Sequence, residues 1–285
     1  MMFRFKRPIA LSALLVASVV ATPVRAQVAS GSANDLAVEF TDPLTPLPQI
    51  FVQDAYTPSN FGTDVQTNAA VTRLIVPRVP RFSFFPFDQI VRPSFSLVTV
   101  PYGTGKHTRT EFGDAQLFDL AVMPWPSESS GFKLGLGPTF VFPTASSSSA
   151  GKRAWQAGPA GALAYTGIPG LLAGFLVQNP ISFGYTSPNA TPQSTLEFEP
   201  ILLYEVWHGW YVKSADSIWT VNWRRRTPTT LPLSFGVGRV MVRGRLAINF
   251  YVSAEWMVYR QYAPVAPQTT VRFGLTVGLP WLERW

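Results

Sequence analysis

The stretch RLAINFYVSAEWMVY, from Arg245 to Tyr259, constrains the fold more than any other part of the chain. Read with a period of two, Leu246, Ile248, Phe250, Val252, Ala254, Trp256 and Val258 share one face, while Asn249, Tyr251, Ser253 and Glu255 share the other. A helix of the same residues would spread the large apolar side chains around the cylinder and leave no clean polar face. The segment therefore reads as a strand. It is far longer than the roughly five or six residues of soluble sheets, and it exceeds the roughly nine to eleven that a tilted strand needs to cross a bilayer.

The chain opens MMFRFKRPIALSALLVASVVATPVRAQ, with Arg4, Lys6 and Arg7 ahead of an apolar run and small residues at Val24 and Ala26. This pattern predicts a secretory signal peptide over residues 1–26, cleaved after Ala26; the apolar run is too short for a spanning helix. Removing its four basic residues from the 23 leaves 19 against 16 acidic ones, a net of +3. The high pI thus belongs largely to the targeting segment, and the only basic cluster is Arg224-Arg225-Arg226. No nucleic-acid partner is expected.

The chain has no cysteine, so no disulfide or lipid-anchor cysteine is available. It is 47% hydrophobic and 14% aromatic but only 14% charged, and no segment beyond the signal offers eighteen consecutive apolar residues. Export, low charge and long alternating strands point to an all-β, transmembrane antiparallel β-barrel in the outer membrane, since a closed sheet is the other structure that satisfies every backbone group within lipid. The alternative, a soluble sandwich, alternates too. It accounts less well for Trp125, Trp155, Trp207, Trp210, Trp219 and Trp281 at expected strand ends, where interfacial aromatic girdles sit.

Residues 27–63 are proline-rich and aperiodic and read as an irregular N-terminal arm, either tucked into the barrel or a mobile leader. The barrel is expected over 64–285, with strands near 65–76, 89–100, 112–124, 131–142, 154–167, 170–184, 194–206, 208–214, 217–225, 231–243, 245–259 and 269–281. Those make twelve, an even number as bacterial barrels require. The connections conflict over sidedness: Ala215-Asp216 and Gly244 read as tight turns of the periplasmic side, yet His208-Gly209 is equally tight and the long stretch from Tyr185 to Gln193 falls on the side that should be short. Pro138, Pro159, Pro180 and Pro200 recur every 20 or 21 residues and are expected side by side on four neighbouring strands, with a bulge near Asn179-Pro180 because Pro180 has the opposite parity.

Motifs with chemistry are weak. YGTGKHT at 102–108 lacks the first glycine of a phosphate-cradling loop, and His107 stands where Ser or Thr should follow Lys106. His107 and His208 both lie in expected turns without a diagnostically spaced partner, so no catalytic residue is assigned. Two distant histidines and no cysteine also leave no metal site and no cofactor. The informative residues are charges and amides of inward parity: Glu197, Glu199, Glu205, Asn222, Arg224, Asn249, Glu255 and Arg272 are the candidates for lining the lumen. They either pair to plug a small barrel or line a path for polar solute. At least some of the glutamates are expected to pair with Arg224 or Arg272, within a lumen that holds water.

From about Arg92 onward the segments FGDAQLFDLAVMPW, GLGPTFVFPTA, WQAGPAGALAY, LVQNPISFG, EPILLY, GWYVKSADSIWTVNW and LPLSFGVGRV follow in order. As a set they resemble a family of bacterial exported proteins labelled "neuromedin U" in sequence collections, and in outline an outer-membrane channel family associated with phenol-degradation gene clusters. The resemblance implies an outer-membrane barrel and supplies no catalytic or binding residues. The arm matches it less well, and Leu282 to Trp285 extends past the usual aromatic-ended last strand. The sequence thus leads to a passive channel or transporter-like barrel for small polar or amphipathic solutes, with outer-membrane lipid and those solutes as partners. Its alternatives are a lipid-modifying enzyme on the barrel wall and a closed structural or adhesive barrel. Mass spectrometry of the mature protein from outer-membrane fractions should find Gln27 as the first residue; an intact Met1 in that fraction would contradict a cleavable signal.

Overall fold

In the computed structural model, residues 33–77, 88–103, 107–126, 131–223, 228–263 and 265–282 are described; the expected signal peptide lies outside them. Fifteen β segments follow one short helix. They are β1 (Gln49–Phe61), β2 (Thr67–Pro77), β3 (Asp88–Pro101), β4 (Thr108–Phe112), β5 (Ala115–Val122), β6 (Phe132–Phe142), β7 (Ala154–Tyr165), β8 (Leu171–Gln178), β9 (Ile181–Tyr185), β10 (Thr195–Trp207), β11 (Trp210–Ser214), β12 (Trp219–Asn222), β13 (Thr229–Arg243), β14 (Leu246–Gln261) and β15 (Ala266–Gly278). Three pairs, β4/β5, β8/β9 and β11/β12, are single strands with a break, because each pair shares a partner: β3, β7 and β10 respectively. The wall therefore has twelve strands. It closes where β15 pairs antiparallel with β1, from Gln49↔Gly278 to Phe61↔Ala266.

The alternation read in the sequence is the alternation of burial. In β14, Ala247, Asn249, Tyr251, Ser253 and Glu255 are buried, while Phe250, Val252, Trp256 and Val258 are exposed on the outer face. Leu233, Phe235 and Val237 of β13 and Phe273 and Leu275 of β15 continue that apolar face across neighbouring strands. Such an outer face is unfavourable against water and stabilising against lipid acyl chains. Trp125, Trp155, Trp207 and Trp210 are exposed at or near strand ends, whereas Trp219 packs within the wall on Phe198. The side chain of Trp281 is outside the described residues.

The count of twelve conceals two compensating corrections. β1 lies within the stretch expected as irregular arm, and the expected strands 208–214 and 217–225 are two parts of one. Opposite Glu199–Ile201 of β10, the partner chain spends four residues, Ala215–Ile218, so one is extra and the inward parity flips from odd in β11 to even in β12. A parity flip with Asp216 at a positive φ of 62° looks like a turn in sequence, but it is a bulge in the wall. With that turn removed, the conflict over sidedness disappears. The two-residue turns at His208–Gly209 and at Gly244 lie at the same end as Gln49 and Gly278, called here the near end. The long connection 186–194 falls at the opposite, far end. Both φ values of His208–Gly209 are positive, the geometry that matches strand twist in a two-residue hairpin.

The proline row is half present. Pro138 pairs directly with Pro159, and the ladder is interrupted at Asn179–Pro180, where Asn179 N–H donates to the Pro159 carbonyl at 3.0 Å. The register shift beside this break lies at Trp155/Gln156. Pro200, however, pairs with Phe175, five residues along from Pro180, so the fourth member is out of line. Gly158 is obligatory here: a Cβ on it would sit 1.9 Å from the Asn179 carbonyl oxygen.

The N-terminal segment is tucked into the barrel from the near end. Helix α1 (Ala33–Thr41) buries Leu36, Ala37 and Phe40, and Leu44 and Leu47 follow in the same apolar cluster as Leu172, Leu203, Tyr211, Val240 and Ala247 of the wall. The helix stops at Asp42-Pro43, where Asp42 N–H makes the last helical bond, to Val38, at 2.9 Å. Asp42 then holds the turn by accepting from Leu44 N–H at 2.8 Å and clamps it to the wall through Lys133 Nζ at 2.7 Å. The wall makes room: a Cβ on Gly135 would meet Leu44 at 2.4 Å, and one on Gly278 would meet Phe40 at 2.9 Å. A chain without native cysteines permits a direct test of the closing seam. The double variant S59C/T269C, a facing pair of β1 and β15, should oxidise to a species of altered mobility on a non-reducing gel; absence of that species in folded protein would place β1 outside the wall.

Candidate functional site

The lumen contains two stacked spaces. Towards the far end is a vestibule of about 380 Å³ that opens to solvent, bordered by Gln116, Lys152, Gln156, Glu197, Thr220 and Asn222. Below it lies a smaller inner cavity of about 50 Å³, bordered by Arg73, Arg92, Glu199, Lys213, Asp216 and Tyr251 and floored by residues 40–43 of the N-terminal segment. Glu197 and Glu199 are successive inward residues of β10, one facing each space, so roughly one layer of side chains, about 7 Å, separates the two. That layer includes a chain of hydrogen bonds along the inner wall from β6 to β10: Thr139 Oγ1 donates to Gln178 Oε1 at 2.8 Å, and Gln178 Nε2 donates to Glu197 Oε2 at 2.6 Å.

A polar belt runs around the barrel at the level of the inner cavity. Lys213 Nζ lies 2.6 Å from Asp216 Oδ2 and 3.3 Å from the centre of the Tyr251 ring. Glu199 accepts the Asp216 backbone N–H at 3.0 Å. Glu255 is held by Arg272 at 2.8 Å and by Ser217 Oγ at 2.8 Å, with both side chains of the ion pair nearly buried. Tyr211 donates to Asn249 Oδ1 at 2.8 Å, and Tyr251 to Gln53 Oε1 at 3.0 Å. The bulge at Ala215–Ile218 makes this belt possible. By adding one residue it points both Asp216 and Ser217 into the lumen, where they meet Lys213 and Glu255.

Of the residues singled out in sequence, Glu197, Glu199, Asn222, Asn249, Glu255 and Arg272 face the lumen. Glu205 has the same parity but lies at the near end, against Gly170 of the β7–β8 turn, away from the other two glutamates of its strand. Arg224 lies outside the described residues. Arg272 pairs with Glu255, so the expected arginine partner for Glu197 or Glu199 is not Arg272; Glu197 is held by Gln178 instead.

The belt also contains residues that the sequence reading passed over: Arg73, Arg92, Lys213 and Asp216. Arg92 was accessible to the same parity rule, since Val91, Phe95 and Leu97 mark the outer face of β3. Arg73 was hidden because Val71 and Ile75 on its inward face are as apolar as Leu74 and Val76 outside. Lys213 and Asp216 were hidden by the bulge. His107 lies beyond β3 at the far end and His208 in the near-end turn, so the two histidines cannot share a site. Among the described residues no three of His, Asp and Glu converge as metal ligands.

No family model matches the chain, and no curated protein matches its sequence. Solved structures do. An outer membrane channel from Pseudomonas putida F1 is 12% identical, with 82% of this chain and 94% of that one covered and a TM-score of 0.55. The NanC porin is also 12% identical, over 81% and 98% of the two chains, with a TM-score of 0.49. The first of these likenesses shows a shared fold, in agreement with the closed twelve-stranded antiparallel barrel read from the strand pairing.

Ion pairs inside and outside the belt should differ in worth according to burial. Arg272→Met leaves the Glu255 carboxylate buried without its cation and should lower stability by about 3 kcal/mol, measured by urea unfolding in micelles. Arg109→Met, which breaks a pair with Glu111 of similar length but 40% exposed on the arginine side, should cost less than about 1 kcal/mol. Equal losses in the two variants would show that the lumen around Glu255 is as wet as the surface.

Proposed function

We propose that the protein is a passive outer-membrane channel for small polar or amphipathic solutes, gated at its near end by the segment 33–47. The observation that carries this reading is a closed barrel whose outer face is apolar while its interior holds two stacked, polar-lined cavities. A barrel serving only as a support would gain more from a packed interior than from a belt of charges that must be desolvated and paired. The resemblance to exported proteins labelled "neuromedin U" supports an outer-membrane barrel and leaves its solute open. The near end, with both barrel termini and the two-residue turns, is the periplasmic side by the general pattern of short periplasmic turns. The wide vestibule then faces outward, and solute entering it meets the inner cavity before the α1 plug.

The plug itself favours a second reading, a closed structural barrel, because Leu36, Ala37, Phe40, Leu44 and Leu47 fill the near end with well-buried apolar contacts. Planar-bilayer recording separates the two. On the channel reading, the wild type shows stepwise currents, deletion of residues 27–47 gives larger and steadier steps, and Asp42→Asn, which weakens the clamp to Lys133, makes the steps flicker. Silent bilayers for wild type and deletion alike, with both proteins folded by heat-shifted gel migration, would support the closed barrel.

A further inference from the structure

The inner cavity has more cationic capacity than its own carboxylates use. Around it stand Arg73, Arg92 and Lys213 against Asp42, Glu199 and Asp216. Asp42 is bound to Lys133 and Asp216 to Lys213, both within 2.7 Å. Two guanidiniums are left facing one carboxylate, Glu199, which already accepts a backbone N–H. Neither guanidinium is ion-paired or hydrogen-bonded among the described residues. Arg73 lies over the Phe51 ring at 5.0 Å and Arg92 over Phe118 at 5.3 Å, which orients each planar group without consuming its N–H donors. Arg92 is only 9% exposed. A buried guanidinium without an anion is costly, so the site is built for something that is not part of the chain.

Other groups in the cavity wall point the same way. Gln49 is 3% exposed and neither atom of its amide has a partner; Thr276 is 1% exposed and its hydroxyl has none. Both border the cavity, on the two strands that close the barrel. Buried polar atoms are nearly always satisfied; these are closed off from the cavity, and a guest reaches them only if the side chains turn toward it. Between the polar groups the lining is apolar, from Phe40, Phe51, Ile75, Leu176 and Ile201. At about 50 Å³ the cavity admits only a very small guest.

We propose that this cavity binds a very small organic carboxylate, of the size of acetate, its carboxylate held by Arg73 and Arg92 and its alkyl end by the apolar lining. The planar fork of a guanidinium matches a carboxylate, and two forks on adjacent strands β2 and β3 select that group over an uncharged isostere. The proposal deepens the channel reading and rests on it for the route by which the solute arrives, through the vestibule. Binding itself requires no current.

Acetate and its neutral isostere acetamide are suitable probes. Calorimetric titration of the full mature barrel in uncharged detergent, corrected against empty micelles, should show saturable one-site binding of acetate at least about tenfold tighter than that of acetamide. Arg92→Gln and Arg73→Gln should each weaken acetate about tenfold and leave acetamide unchanged, with Arg92→Lys between Gln and wild type. Equal binding of the two probes by the wild type overturns the site without recourse to any variant, as does unchanged acetate affinity in folded Gln variants. Chloride competing at the same concentration as acetate would show an inorganic anion site only, and would overturn it also. Protein that binds acetate but carries no current leaves the site standing and removes the channel; protein that conducts but does not bind it does the reverse.

Discussion

Closure of the sheet is the constraint on which the rest of the structure depends. In hydrocarbon an unpaired backbone N–H or C=O has no water to turn to, so each strand must be paired on both sides and the first strand must find the last. The seam between β1 and β15 does this over the whole length of β1. The same demand explains how the wall survives its own interruptions. Where the chain leaves the ladder at Gly113, Asn179 and Asp216, each N–H is recaptured, by the Ser96 carbonyl, the Pro159 carbonyl and the Glu199 carboxylate respectively. A strand can therefore bulge without opening the barrel.

The interruptions also determine what the interior contains. Strict alternation can place only every second residue inside. The extra residue at Ala215–Ile218 breaks that limit and supplies Asp216 and Ser217 to a region already holding Lys213 and Glu255. Each buried charge in this part of the belt then has an opposite charge or a hydroxyl within hydrogen-bond distance, which offsets its desolvation. Arg73 and Arg92, one strand apart on the opposite wall, are treated differently: aromatic rings position them and leave their donors free. The plug has the converse chemistry. It fills the near end with apolar side chains against glycine and alanine of the wall, and the ion pair Asp42–Lys133 fixes its height.

The sequence by itself determined the class of fold and the two faces of most strands. Long period-two alternation with bulky residues on one side is a local property, and the burial of Ile201, Leu203, Asn249 and Glu255 against the exposure of Leu202, Phe250 and Trp256 follows directly from it. By the same parity it grouped Glu197 with Glu199 and Asn249 with Glu255 on one face of their strands, since parity needs no knowledge of partners. What parity cannot carry is a count across a bulge or a choice between two apolar faces, so Lys213, Asp216 and Arg73 could be assigned only once their neighbours were known. The helix and β1 were obscured for a related reason. Residues 33–61 have too few regular apolar positions to announce a structure, and they become ordered by burial in a cavity and by pairing with β15, more than 200 residues away in the chain. Only the tertiary structure could decide which strand closes the barrel, whether the N-terminal segment fills it, and which charges are left without a partner, because each of these depends on groups that sequence distance keeps apart and ring closure brings together.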